Sequence, residues 1–475
     1  MLDTAPLPAH VLDELRRILP RPRAVLDARE DLLVYGYDGT WYEGFPQVVA
    51  IPESAEQVAE IVRLANRERL AVTPRAMGSS LSGGPVPLRG GIVIDTKRMN
   101  RILEIDEVNF VAVVQPGVIN ADLQKAVESR GLFYPPDPSS MRQSAIGGNV
   151  AENAGGSRCL KYGVTADYVM GLQVVLPTGE IIRTGGKMVK NVTGYNLRAL
   201  FTGAEGTLGV ITEATLRLLK KPPFTLTAMA VFASIVDAAQ CVTEVMSAGL
   251  TPCAIEMMDD VTMSCVEEMF HLGLPVEREA ILLFAVDGNH RAIVDGEMEA
   301  LSELARKAGA LEVRVAADEA ESNALWQARR GISPALARKR PNKLGEDVSI
   351  PRSEIPRMVR AVRAIAAKYA LTIPLFGHVG DGNLHPNILC DRHDPQELER
   401  VGAAAREIFE AAVACGGTLS GEHGIGLLKK QFIELDLGSA QVEAMRRIKT
   451  ALDPNGIMNP GKIFPEPGGI DAFKL

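Results

Sequence analysis

The stretch "VVAIPESAEQVAEIVRLANRERLAVTPRAMGSSLSGG", residues 48–84, reads as strand, helix, strand and glycine-rich loop. "VVAI" is a β-branched run suited to a strand. Ser54 with Gln57 three residues later forms a capping box, and Val58, Ile61, Val62 and Ala65 then fall on one helical stripe. "LAVT" is the second strand, which Pro74 is expected to end. The loop that follows, Pro74 to Gly84, can turn several backbone N–H groups inward at a phosphate, with Ser79, Ser80 and Ser82 adding hydroxyl donors. It fits neither G-x-G-x-x-G nor G-x-x-x-x-G-K-[ST], so neither a Rossmann nor a P-loop site is indicated.

Working outward, more short strands are expected in "GIVIDT" (91–96), "FVAVVQPG" (110–117), "GLQVVLPTG" (171–179) and "GVITEATLRLL" (209–219). The loops between them are rich in glycine: "PPDPSS" (135–140), "SAIGGNVAENAGG" (144–156), "KYG" (161–163) and "GAEGTLGVIT" (203–212). Several loops without bulky side chains allow the backbone to approach something flat and polar, as an extended dinucleotide would be. This half reads as α+β.

"KKPPF" (220–224) is the clearest boundary in the chain. Beyond it "TLTAMAVF", "AIEMM", "AILLFAV" and "LEVRVA" alternate with helical patterns, which points to an antiparallel sheet covered by helices on one face. A chain of 475 residues is too long for one core, so two or three domains are expected. The net charge of −8 argues against a nucleic-acid or anionic-membrane surface, though it permits a local cationic pocket for a small anion. The six cysteines stand at least twelve residues apart, without cluster spacing, and read as reduced thiols of a cytoplasmic protein. The start, "MLDTAPLPAH", has neither the basic nor the apolar region of a secretory signal, and no apolar run is long enough to span a bilayer.

Three of the seven histidines lie in two glycine-rich stretches, "GHVGDGNLHP" (377–386) and "SGEHGIG" (420–426). On a helix His378 and His385 would be about 10 Å apart along the axis. Across the reversal favoured by Gly-Asp-Gly-Asn they become neighbours and can converge on one cation, with Glu422 adding an oxygen. Two imidazoles and a carboxylate with open positions suit zinc, manganese or iron(II). The spacing by itself does not bring the two stretches together.

Taken in order, these motifs resemble the vanillyl-alcohol-oxidase (PCMH-type) flavoprotein family. "HVGDGNLHP", "SGEHGIG" and the terminal "NPGK" resemble its branch that oxidises 2-hydroxy acids, which includes D-lactate and D-2-hydroxyglutarate dehydrogenases and the glycolate oxidase catalytic subunit. The resemblance covers nearly the whole chain. It implies an α+β fold: a two-subdomain PCMH-type FAD-binding domain over 1–222, a substrate-binding cap with an antiparallel, ferredoxin-like sheet over 223–425, and a helical segment over 426–475 packing back toward the FAD domain. It assigns Arg75, Gly78, Ser79, Ser80, Ser82 and Gly83 to the FAD pyrophosphate. Ser140, Gly147, Gly148, Asn149, Gly155, Gly206 and Ile211 are assigned to the rest of the dinucleotide. The family usually has glycine where this chain has Ala76. With no histidine between His10 and His271, non-covalent FAD is expected.

For the reaction, the resemblance implies His378, His385 and Glu422 as metal ligands and His423 as the general base. Arg329 would bind the substrate carboxylate with Lys343 assisting, and Asn387 would supply an active-site amide. Electrons would leave to a non-oxygen acceptor: an Fe–S partner subunit first, otherwise a quinone, a cytochrome or an electron-transfer flavoprotein. A homo- or hetero-oligomer, held to a membrane peripherally through such a partner, is compatible with this. Three other readings stay open: a metal-dependent hydrolase, a non-catalytic flavin-binding subunit and an alkyl-phosphate-type synthase.

Overall fold

The computed structural model describes residues 6–465. The first five residues of the stretch read for a leader, and residues 466–475 of the expected C-terminal segment, lie outside the described residues. The chain divides into two units. Among the described residues, one comprises 6–155, 164–221 and 422–465, the other 156–163 and 222–421.

In the first unit the opening strand–helix–strand forms as its pattern predicts. Ser54 Oγ accepts the Gln57 amide at 3.3 Å, and Gln57 Oε1 accepts the Glu53 amide at 2.8 Å, which together start helix Ala55–Glu68. Its buried stripe, Val58, Ile61, Val62 and Ala65, packs with Val11 and Leu15 of helix Ala9–Ile18. Strands Val48–Ala50, Ile92–Asp95 and Val72–Arg75 run parallel in that spatial order, and Val25–Leu26 joins antiparallel at one edge.

Pro74 does not end its strand, which continues to Arg75. The Val72 amide points away from the Ile92–Asp95 ladder, to the Ile457 carbonyl at 2.7 Å. Two residues on, the nitrogen of Pro74 points the same way, so the ladder loses no donor. A second sheet, fully antiparallel, orders strands Ile102–Asp106, Val111–Val114, Val210–Arg217, Val169–Val175 and Ile181–Gly185.

The second unit is built on one antiparallel sheet. Its first four strands in chain order are Phe224–Phe232, Ala254–Asp259, Ala280–Gly288 and Ala310–Val315. They take the spatial order fourth, first, third, second, which is the ferredoxin-like arrangement. Beyond Ala254–Asp259 the sheet is extended by Leu375–Gly377, Asn383–Cys390 and Asn342–Gly345, strands that the sequence pattern does not announce. Coverage on one face was expected; both faces are covered. Every residue of Ala254–Asp259 and of Asn383–Cys390 is buried, which a one-sided sheet cannot achieve. Helices Asp260–Phe270, Glu319–Arg330 and Ile332–Lys339 pack together over one face. No helix among the described residues is long and apolar enough to cross a membrane.

Candidate functional site

In the first unit, four loops gather around the end of strand Val72–Arg75. A Cβ on Gly148 would meet only Ala76, at 3.8 Å, so that backbone is open on its free side. Gly206 lies over Pro74, and a Cβ on Gly84 would run into Glu152. Gly147 is fixed to the carbonyl of Pro116 by its amide at 2.8 Å. Gly78, Ser79, Ser80, Ser140 and Ile211 keep partial exposure; Ser82, Gly83 and Gly155 are buried.

Two of the expected phosphate donors face protein groups here. The Gly83 amide donates to Asp38 Oδ2 at 2.8 Å, and the Ser82 amide donates to Ser80 Oγ at 3.2 Å. Arg75 turns back beneath its own loop. Its Nη1 donates to the carbonyl of Tyr37 at 2.9 Å, and the guanidinium fills the space that a side chain on Gly78 would need.

The residues present fit a bound dinucleotide. Asn149 is 3% exposed, and its Nδ2 is a buried donor without a hydrogen-bond partner among the described residues, as is the Ser144 hydroxyl. Buried donors of that kind are costly unless something supplies an acceptor. Sequence reasoning missed the frame that holds these loops. Glu205 accepts the amides of Ile425 at 2.8 Å and Gly426 at 2.7 Å. Asn459 Nδ2 bridges the carbonyls of Gly84 and Glu205 at 3.0 and 2.7 Å. Lys462, in the "NPGK" motif, donates to the carbonyl of Val86 at 2.6 Å, and burial lowers its pKa to about 7. Glu422 and His423 open this unit's last segment, with His423 Nε2 3.7 Å from Glu422 Oε1.

"KYG" belongs to the second unit, not to the flavin half in which it was read. Lys161 Nζ and Tyr162 Oη donate to the two oxygens of Asp287 at 2.6 and 2.7 Å.

The second unit collects chemistry on one face of its sheet. Met258 pairs with Phe376, and two residues further along the same register Glu256 faces His378. Phe376 in turn pairs with His385, and Lys343 with Leu389. Side chains two apart on a strand share a face, so Glu256, His378, His385, Asn387 and Lys343 stand on the face that the three helices cover. The "GDGN" reversal makes this hairpin. Gly382 takes φ +89°, and a Cβ there would fall 2.1 Å from the carbonyl oxygen of Ile350. Histidines seven apart in sequence thus have ring centroids 5.2 Å apart, nearly perpendicular, with a ring nitrogen of each within 4.8 Å.

Helix Glu319–Arg330 brings Arg329 onto the same face, where it is 5% exposed. Its Nε donates to Glu256, and His378 Nδ1 lies 2.6 Å from the other Glu256 oxygen. Burial pushes the Glu256 carboxyl up, but Arg329 and His378 outweigh it and hold its pKa below the ordinary value. Asp347, also fully buried, lies 3.7 Å from His385 Nδ1. It accepts Asn383 Nδ2 at 2.7 Å, Ser420 Oγ at 2.7 Å and the Gly421 amide at 3.0 Å. Asn387 Nδ2 donates to the carbonyl of His385 at 3.1 Å.

Lys343 donates to Ser333 Oγ at 2.7 Å, and no carboxylate among the described residues pairs with it. Burial lowers its pKa. Neither Glu256 nor Asp347 was singled out from sequence; a carboxylate inside a wholly apolar strand, "AIEMM", was the available signal. Two imidazoles with carboxylates at this range form a donor set that fits a zinc- or manganese-type cation.

The chain matches the family described as FAD binding domain over residues 46–185, and the family of FAD linked oxidases, C-terminal domain, over residues 221–463. It is 47% identical over 439 residues to glycolate oxidase subunit GlcD of Bacillus subtilis (strain 168), across 92% of this chain and 93% of that one. It is 35% identical over 465 residues to D-2-hydroxyglutarate dehydrogenase of Stutzerimonas stutzeri (strain A1501), across 96% and 98%. Its fold superposes on a crystal structure of p-cresol methylhydroxylase with substrate bound, with a TM-score of 0.80 over 96% of both chains at 19% identity.

Proposed function

From the premise that this chain belongs to the FAD-linked oxidases and oxidises a 2-hydroxy acid with FAD, we propose that its substrate is glycolate or D-lactate. In this reading His378 and His385, with Glu422, hold a divalent cation, zinc or manganese first and iron otherwise, and His423 is the general base. The observation that carries it is the buried pair of imidazoles on one sheet face, each with a carboxylate behind it. Glu422 follows Gly421 by one peptide bond, and the Gly421 amide is already held by Asp347.

Oxidation to the 2-oxo acid removes the hydroxyl proton and a hydride from C2. Bound FAD, held by the loops around Gly78, Gly148 and Gly206, supplies the two-electron acceptor for that hydride. A bound cation supplies the Lewis acidity that makes an alcohol proton removable near neutral pH. His423 takes the proton. The terminal amino groups of Arg329 and the ammonium of Lys343 offer charge-assisted hydrogen bonds to the substrate carboxylate, and Asn387 fixes its edge. The cysteines have no cluster spacing, so the electrons leave for an Fe–S partner subunit, a quinone, a cytochrome or an electron-transfer flavoprotein.

One observation favours a second reading within the same chemistry. Lys343 is a cation with a hydroxyl neighbour and, among the described residues, no acid, which would suit a second carboxylate, as in D-2-hydroxyglutarate. Anaerobic bleaching of the flavin by glycolate, D-lactate and D-2-hydroxyglutarate separates the two. Fast bleaching by either short acid supports the first, and bleaching by the dicarboxylate alone supports the second. A flavin that none of them reduces rejects both.

A further inference from the structure

Glu256 sits in the middle of strand Ala254–Asp259 with no exposed surface. A lone carboxylate there would cost several kcal/mol in lost hydration, so its partners decide what it is for. One oxygen accepts the Nε–H of Arg329, and the other lies 2.6 Å from His378 Nδ1. A carboxylate paired with a guanidinium is an acceptor, so the proton in the second contact belongs to Nδ1. A neutral imidazole with its proton on Nδ1 has its lone pair on Nε2. That tautomer is the one a metal ligand on Nε2 requires, and a carboxylate on the far nitrogen also stops the ring from rotating.

The same carboxylate occupies Arg329 Nε, which leaves only the terminal amino groups for a substrate. Arg329 Nη2 is 3.4 Å from His378 Nδ1, so both side chains are packed about one anion. Arg329 reaches only one of the two carboxylate oxygens. Here the imidazole N–H satisfies the second carboxylate oxygen, and the same contact fixes the ring's tautomer and orientation.

We propose that Glu256 is a positioning residue of the site, whose two oxygens fix His378 as an Nε2 metal ligand and align Arg329 for the substrate carboxylate. This rests on the reading of His378 and His385 as a metal site. It goes beyond that reading by assigning a single buried carboxylate to the geometry of both the ligand and the substrate cation.

The test is metal affinity in the flavin-loaded protein, measured by chelator competition with zinc and by the visible spectrum of bound cobalt. Glu256→Gln keeps an acceptor for Nδ1 but removes the charge. Glu256→Gln/Arg329→Met also removes the guanidinium, so that no uncompensated charge is left to prevent folding. Flavin content and melting temperature report whether each variant is folded. Both variants are expected to bind metal 10- to 100-fold more weakly, with an altered cobalt spectrum and a lower kcat. Wild-type metal affinity in the folded double variant overturns the proposal and leaves Glu256 as an ion-pair partner. If the wild-type protein binds neither zinc, manganese nor cobalt, the metal reading itself fails, a result distinguishable from the first.

Discussion

In the first unit the residues expected to hold the cofactor are mostly glycines and serines, with Arg75, Asn149 and Ile211, and they would work largely through backbone shape. The proposed metal, substrate and base groups, His378, His385, Arg329 and Lys343 of the second unit and Glu422 and His423 of the first, would each work through a side chain. A site of the first kind would be redundant, since several loops would share the task and no one of them would be decisive. The second is concentrated, and each group leans on one or two others, as His378 and Arg329 lean on Glu256. Single substitutions should therefore act unequally in the two places.

The largest effect is expected where one side chain has one chemical task. His423→Ala should lower turnover by roughly 10²- to 10⁴-fold, the usual worth of a general base, with flavin content unchanged. Steady-state rates near wild type would show that proton removal is as redundant as cofactor binding, and the contrast would break.

A smaller effect distinguishes two carboxylates on the same strand. Glu256 and Asp259 are both without exposed surface, but Glu256 has Arg329 and the His378 ring in direct hydrogen-bond contact. Asp259 is hydrogen-bonded by neutral donors, the amide and hydroxyl of Thr262 and the amide of Leu375, with the Arg363 guanidinium farther off at 3.5 Å. Burial therefore raises the Asp259 pKa to about 6, while that of Glu256 falls below its ordinary value. A carboxyl raised above its unfolded value stabilises the fold in its protonated form. That contribution is complete below about pH 4 and is lost as pH rises through about 6. Two units correspond to roughly 3 kcal/mol. Asp259→Asn mimics the protonated form, so its stability relative to wild type should improve by about that much between pH 4 and pH 7. Melting curves of both proteins across this range check it; a constant difference would mean that Asp259 does not titrate there.

How much of this could be read in advance follows the same division. The helix Ala55–Glu68, its cap and its buried stripe are local, and the sequence specifies them within a few residues. The glycine loops were visible because composition marks backbone sites. Their frame was not: Glu205, Asn459 and Lys462 act across more than two hundred residues of chain, and nothing near them in sequence reports it. His378 and His385 were visible because glycine turns make imidazoles conspicuous. Glu256 lies 122 residues from His378 and becomes its neighbour only through strand pairing. The extension of the sheet was hidden because Leu375–Gly377 is three residues long, too short to show a period. Pro74 misled because proline ends a strand only where its missing donor faces the ladder.

The smallest effect tests the flavin unit alone. In the second unit the polar groups partner one another, so removing one harms the fold with or without ligand. Asn149 differs: its buried Nδ2 has no partner among the described residues. Asn149→Ala should then leave the melting temperature of the flavin-free protein unchanged or slightly raised, because no bond is lost and a desolvated donor is removed. The flavin-loaded protein should lose about 1 kcal/mol, seen as a roughly fivefold weaker flavin affinity in a titration followed by fluorescence. A structural asparagine would lower both melting temperatures equally, and a donor that only ever met water would lower neither. Only a loss confined to the loaded protein is expected if the four loops share a ligand, and its small size is what a site with many backbone contacts predicts.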